Sequence, residues 1–268
     1  MTAVTAPADI EPVVRQRFPG RWRWVARLAS WIVFIGVWQF LGTYVVAPFV
    51  LPPPTILAPE LVDIVQSGEL WRHFGSSLAK LGQSFPVFLV AGAAIGTLMA
   101  LSRRWEDFLR DAISVASSLP GLVYILILLL IFGTSVWAPI AAIVSAVTPF
   151  IVLQFWAGVK DVSTELLQMG AAFKLSRRKV IRHIMIPALT PFILTAVTHG
   201  ISIGWRLVVL TELFGGSSGI GFKMREEFSH FSVRGVIAWA LFFFFISLIL
   251  DRVLFAPLSK WILRWRDE

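Results

Sequence analysis

The sequence predicts an all-α membrane protein with six transmembrane helices. Three observations carry that prediction. The chain is 57% hydrophobic and only 15% charged over 268 residues, whereas soluble domains hold about 45–50% apolar and about 25% charged residues. Six stretches approach the roughly 20 apolar residues that a helix needs to cross the hydrocarbon core. The Lys and Arg residues, finally, are sorted by loop rather than scattered.

The predicted spans are 27–47, 75–101, 107–133, 136–158, 188–213 and 235–257. The first 20 residues are polar and contain prolines, and they read as poorly ordered. The apolar run that follows is longer than the core of a secretory leader and has no small-x-small cleavage signal after it, so it reads as a retained first span. Between spans one and two, "LPPPTILAPELVDIVQSGELW" starts with rigid proline and continues as a short surface helix. Span two carries Lys80 toward its outer end. Span three is interrupted by "SSLPG" at 117–121, which requires the freed backbone groups to face protein or a wet cavity.

Orientation follows from the cations. Of the 24 Lys and Arg residues, 18 lie in the N-terminal tail (Arg15, Arg17, Arg21, Arg23, Arg27), after span two (Arg103, Arg104, Arg110), around the loop after span four (Lys160, Lys174, Arg177, Arg178, Lys179, Arg182) and near the C-terminus (Arg252, Lys260, Arg264, Arg266). All of these fall on one face, while the loops of the other hold only Arg72, Lys223, Arg225 and Arg234. The positive-inside rule makes the first face cytoplasmic, with both termini on it. Trp22, Trp24, Trp105, Trp137, Trp156 and Trp261 near the boundaries fit interfacial belts. The expected organisation is a tail at 1–26, a six-helix domain at 27–258 with a cytoplasmic loop at about 159–187, and a tail at 259–268.

Composition narrows the chemistry. Without cysteine there is no disulfide and no thiolate metal site. Four histidines (His73, His183, His199, His230) show no metal-ligand spacing, and no phosphate-binding loop of the G-x-x-x-x-G-K-[ST] type occurs. No metal or cofactor is expected in this chain, and any ATP would sit on a partner. The net charge of +8 is topological and does not call for nucleic acid.

The loop after span four, "ELLQMGAAFKLSRRKVIRHIMIP" at 165–187, is longer than a connection requires. Ser163 can cap a helix with Glu165 in its first turn. Leu166, Gly170 and Phe173, joined by Leu167 and Met169, make one apolar face. Ser176 can cap a second helix, which starts with Arg177, Arg178 and Lys179. Cations at that end oppose the helix dipole and call for anionic headgroups or an acidic partner. From these residues alone, a loop resting on lipid and a docking site for a cytosolic partner stand level. In span five, His199 and Arg206 share a face. Arg206 reads either as half of an ion pair with another helix or subunit, or as a contact for an anionic substrate. His199 reads as a hydrogen-bonded core residue ahead of a ligand. Gly92/Gly96 and Gly200/Gly204 suit close packing within one chain. "GGSSGIGFKM" reads as a surface turn.

The loop resembles the cytoplasmic EAA loop of permease subunits of ABC importers, of the nitrate, sulfonate and taurine type. "LPPPTIL", "SSLPGLVYILILLLIFG", "VTPFIVLQFWAGVKDVSTELL" and "LTELFGGSSGIGFKM" extend the likeness over most of the chain in the right order. The resemblance implies the type I importer permease fold, also called MetI-like, in a bacterial inner membrane. It further implies a second permease copy, expected as a homodimer, two cytosolic ATPase subunits that hold ATP and Mg, and an extracytoplasmic solute-binding protein. The ATPase contact would then involve Glu165, Leu166, Leu167, Gln168, Met169, Gly170, Phe173, Lys174, Ser176 and Arg177. The pathway would involve Ser117, Ser118, Pro120, His199 and Arg206, with a sulfonate, nitrate or taurine-like solute as cargo. This loop departs from the family at Gln168, where a Glu is usual, at Met169 and Gly170, where two alanines are usual, and at Lys174, where a glycine is usual. The other functional classes are a six-span secondary transporter or channel, which would show more intramembrane acidic or histidine relay positions, and a membrane enzyme, which would need a catalytic cluster in the spans.

Overall fold

The computed structural model describes residues 20–133, 135, 137–255 and 257. Arg15, Arg17, Lys260, Trp261, Arg264 and Arg266 lie outside the described residues, as do the side chains of Arg21, Trp22 and Arg23. Among the described residues there is no strand, and the chain divides into two compact units, Met1–Ile56 and Leu57–Glu268. Five helices are long and apolar enough to cross a membrane, or six when one bent pair is counted as a span.

In the first unit, α1 (Gly20–Phe40) runs on into a π-helical turn at Leu41–Val45. The helix is apolar on every side and its large side chains are exposed, as expected of a helix bathed in lipid. The chain then folds back on itself. A Cβ on Gly42 would lie 2.7 Å from the Leu51 carbonyl oxygen, so only glycine allows that approach. The Gln39 amide donates to the hydroxyls of Thr43 (3.0 Å) and Thr55 (3.1 Å), fixing the return. Helix α2 (Pro54–Gln66) starts on the proline run, where the fixed φ suits a first turn.

The second unit is built on three long helices: α3 (Glu69–Leu101), α6 (Trp137–Lys160) and α9 (Ile186–Gly215). Lipid gives helices no hydrophobic reason to associate, so close contact relies on small residues. A Cβ on Gly92 would meet Ile151 at 2.6 Å, Gly200 faces Phe88 and Ile151, and Gly204 faces Leu81. Helix α3 runs parallel to α6 and antiparallel to α9 in these contacts, and all of them lie within one chain, as the two glycine pairs predict. Phe88, Ile143, Val147, Ile151 and Val152 are fully buried between the three helices.

The remaining helices pack around that core. Span three is two helices, α4 (Arg103–Ser118) and α5 (Gly121–Phe132), which meet at 95°. That is a corner rather than an interruption of one rod. Leu119 is extended there (φ −70°, ψ 132°), as a residue before proline prefers. Gly121 packs on Leu207 and Gly215 packs under Leu129, which holds α5 against α9. Helix α10 (Ile220–Ser229) follows α9, and α11 (Val233–Ile249) ends in a π-helical turn at Leu250–Phe255. Trp205 Nε1 donates to Ser247 Oγ at 3.0 Å, tying α9 to α11.

Candidate functional site: the excursion between α6 and α9 and the polar groups of the spans

The chain leaves α6 at Lys160 and forms α7 (Thr164–Ala172). Ser163 caps α7 as its position predicts, accepting the Leu166 N–H at 3.4 Å. The end of α7 is a Schellman motif: Leu175 N–H donates to the Gly170 carbonyl (2.9 Å) and Lys174 N–H to the Ala171 carbonyl (2.9 Å). That geometry requires a left-handed residue, and Lys174 takes it at φ +51°. The strain expected of a lysine in a glycine position is therefore present.

After the turn, α8 (Arg177–Val180), a π-helical turn at Ile181–Met185 and α9 follow one another with right-handed helical φ and ψ at both joints. The expected second helix is thus the first turns of one continuous rod. Ser176 stands at its N-cap position but makes no capping bond with its side chain, a correction to the cap read from the sequence. Pro187 falls in the first turn of α9, where a missing N–H is best tolerated.

Gly170 is the one buried member of the predicted apolar face of α7. It faces Ile184, Val180 and Leu175, so α7 rests on the rod through a side that has no Cβ. Leu166, Leu167, Met169 and Phe173 are exposed, Phe173 at 73%. Glu165, Gln168, Lys174, Ser176 and Arg177 are exposed beside them. Next to the excursion, Lys160 Nζ donates to Glu106 Oε2 at 2.6 Å, which ties the end of α6 to α4. Arg110 and Lys160 flank the Trp156 ring at 5.8 and 5.7 Å.

The predicted pathway residues do not converge on one point. Ser117 and Ser118 both donate to the Ser114 carbonyl, at 2.9 and 2.8 Å, which occupies their hydroxyl protons within α4. Tyr124 reaches back over the corner to the Ala116 carbonyl at 2.8 Å, an oxygen that also accepts the Leu119 N–H at 3.3 Å. Pro120 is exposed and caps α5. The corner stands level with Arg206, because Gly121 touches the next residue of α9, Leu207. His199 is exposed, its ring 6.2 Å from that of Phe150. The core role expected for it is corrected: Gly200 and Gly204 turn α9 toward α3, and His199 falls outside that face.

Arg206 has a carboxylate neighbour on another helix. Its guanidinium lies 3.6 Å from Asp251 Oδ2, and Asp251 Oδ1 accepts from Ser202 Oγ at 2.7 Å.

Sequence reasoning missed the most buried polar cluster. Glu212 is fully buried and accepts from Lys80 Nζ (2.7 Å), Ser77 Oγ (2.8 Å) and Gly221 N–H (3.1 Å). The neighbouring amides are also taken up: Ile220 N–H donates to Ser77 Oγ (3.0 Å) and Gly219 N–H to His73 Nδ1 (3.1 Å). The glycine run is therefore a lid folded over a carboxylate, and the surface turn read from the sequence is corrected. Only glycine fits at Gly219, where φ is +114° and a Cβ would collide with the Glu212 carboxylate. The available signal was two opposite charges, Lys80 and Glu212, in apolar runs at the same end of their spans.

Beyond this lid, Arg72, His73, Ser76, Ser217, Phe222 and Lys223 line part of a cavity of about 460 Å³. In α10, burial disfavours the Lys223 ammonium, but Glu226 at 2.6 Å and Glu69 at 3.5 Å outweigh it and hold the lysine above its ordinary range. The same hydrogen bond holds Glu226 below the usual carboxylate range.

Residues 90–256 match the family described as binding-protein-dependent transport system inner membrane component. A putative aliphatic sulfonates transport permease protein of Bacillus subtilis is 26% identical over 269 residues, covering 99% of this chain and 97% of that protein. A taurine transport system permease protein of Escherichia coli is 25% identical over 260 residues, covering 92% and 94%. A nitrate import permease protein of Synechocystis is 27% identical over 228 residues, covering 82% of each. Among solved structures, an inward-facing methionine ABC transporter matches with a TM-score of 0.60 at 14% identity, over 69% of this chain and 92% of that one. An amino acid ABC transporter matches with a TM-score of 0.62 at 16% identity, over 75% and 97%. The structural likeness fixes the fold, and with the match over residues 90–256 the chain belongs to the family of binding-protein-dependent transport system inner membrane components.

Proposed function

We propose that two copies of this chain form the pathway of an ATP-driven importer for a small oxyanion, delivered from outside by a solute-binding protein. Two cytosolic ATPase subunits would hold ATP and Mg. The cargo reading draws on relatives named for sulfonates, taurine and nitrate. The positive-inside rule supports an excursion and both termini on the cytoplasmic face.

One observation carries the coupling role: α7 is pinned to the rod through Gly170 and leaves Leu166, Leu167, Met169 and Phe173 bare. An exposed apolar patch on a polar face marks an interaction site. Closure of the ATPase pair around ATP would draw the two α7 helices together. The Schellman turn and the continuous rod would pass that motion to α9, and the Glu106–Lys160 pair would pass it to α4 and its corner.

Co-purification tests the reading. Expressed with its cognate ATPase, the chain should form a complex that hydrolyses ATP faster with loaded binding protein. Phe173→Asp should abolish the complex while leaving the permease monodisperse. Failure to associate, even with a crosslinker at Met169, would sink it. Ion-driven uptake by the lone chain in liposomes would favour a six-span secondary transporter.

A further inference from the structure

We infer that Arg206 is an intramembrane binding residue for the oxyanion headgroup of the cargo, with Asp251 as a built-in competitor that the cargo displaces. The inference rests on the importer reading and adds to it Asp251 and Ser202, which the sequence did not single out.

Four features point the same way. Arg206 lies nine residues from the end of α9, about 14 Å along the axis, well inside the span. Its side chain is nevertheless 62% exposed, and that of Asp251 42%. Charges at such depth are too costly to face lipid, so this side of α9 faces water or protein. The pair is also loose. At 3.6 Å it lies beyond hydrogen-bond distance, and the guanidinium keeps its fork of N–H donors for another acceptor. Asp251, by contrast, is held independently, because Ser202 bonds its other oxygen at 2.7 Å. Arg206 can therefore swing away while Asp251 stays. Finally, a planar fork of donors matches sulfonate, nitrate and carboxylate alike.

The arrangement explains how an anion would enter and still leave. A lone intramembrane arginine would trap an oxyanion. With Asp251 in place the site is neutral before cargo arrives and carries one excess negative charge afterwards, which favours release.

Equilibrium dialysis of labelled ethanesulfonate against the purified permease–ATPase complex, at low ionic strength and without binding protein, tests the inference. The wild type should bind it saturably, with displacement by nitrate and none by a neutral sulfone. Asp251→Asn should bind about tenfold more tightly, since the competing negative charge is gone. Arg206→Gln should lose binding, and the charge-swapped Arg206→Asp/Asp251→Arg chain should assemble and still not bind. A purely structural pair gives the opposite pattern: no saturable binding in any form, or binding and transport restored by the swap. Loss of assembly in Arg206→Gln together with no displaceable binding to the wild type would overturn the inference in favour of an interface between copies. ATP hydrolysis by the same wild-type complex reports on the importer reading separately. If hydrolysis fails while ethanesulfonate still binds, that reading falls and the binding site stands.

Discussion

Lys80 Nζ lies 2.7 Å from Glu212 Oε1, and the two side chains are among the most buried polar groups of the described residues. Ion pairs taken out of water barely repay their desolvation, yet losing one partner strands the other. Lys80→Met should therefore cost about 3–5 kcal/mol, because it leaves the Glu212 carboxylate under the glycine lid with only Ser77 and Gly221 to meet it. The double change Lys80→Met/Glu212→Leu should recover most of that loss. Thermal unfolding in detergent checks the order. A double variant less stable than the single one would mean that the pair itself, rather than the stranded charge, sets the stability.

Two glycines should respond oppositely to alanine. On Gly96 a Cβ would collide with the Val152 backbone oxygen, whereas on Gly170 its tightest contact would be the end of the Ile184 side chain, at 3.2 Å. Gly96→Ala should thus push α3 off α6 and cost about 2 kcal/mol or more. Gly170→Ala should be tolerated or stabilise by up to about 1 kcal/mol through helix propensity. Melting temperatures of the two variants settle this directly, and equal destabilisation would refute it.

Lys174 makes a similar contrast with its own turn. A left-handed conformation costs a non-glycine residue about 1–2 kcal/mol, so Lys174→Gly should protect the α7–α8 turn and Lys174→Ala should not. Amide exchange at Leu175, whose N–H closes the turn onto Gly170, is the readout. Transport by the complex should rise or stay level in Lys174→Gly, and likewise in Gln168→Glu. A clear fall would mean that this chain and its ATPase are matched to each other as they stand.

The Glu106–Lys160 pair should separate hydrolysis from transport. Lys160 is 44% exposed on its side chain, so the pair is worth at most about 1 kcal/mol and the fold should survive Glu106→Gln. Transport per ATP should fall about threefold to fivefold while hydrolysis continues, a change of the size that energy permits. An unchanged ratio would remove α4 from the proposed route of motion.

The spans and the excursion were legible because their signals are physical. A run of apolar residues long enough to cross lipid, cations kept to one side, and Ser163 ahead of a helical apolar face each report on one local requirement. What stayed hidden depended on which face of a helix meets which neighbour. A proline in an apolar run reads the same whether it kinks a helix or turns a corner, and the 95° bend at Leu119 and Pro120 comes with Gly121 packed on Leu207 of a helix far along the chain. His199 looked like a core residue because its helix is buried, yet it sits one residue, about 100°, from the glycine that faces the core. The glycine run looked like a surface turn because nothing in its own residues announces the carboxylate beneath it.

The unbroken helix from Arg177 through Gly215 is about 58 Å long. On a beam of that length, a tilt of about 5° at one end displaces the other by about 5 Å. In the proposed importer the ATPase stroke would therefore be small, and leverage rather than the travel of the motor would set the size of the opening at the far end.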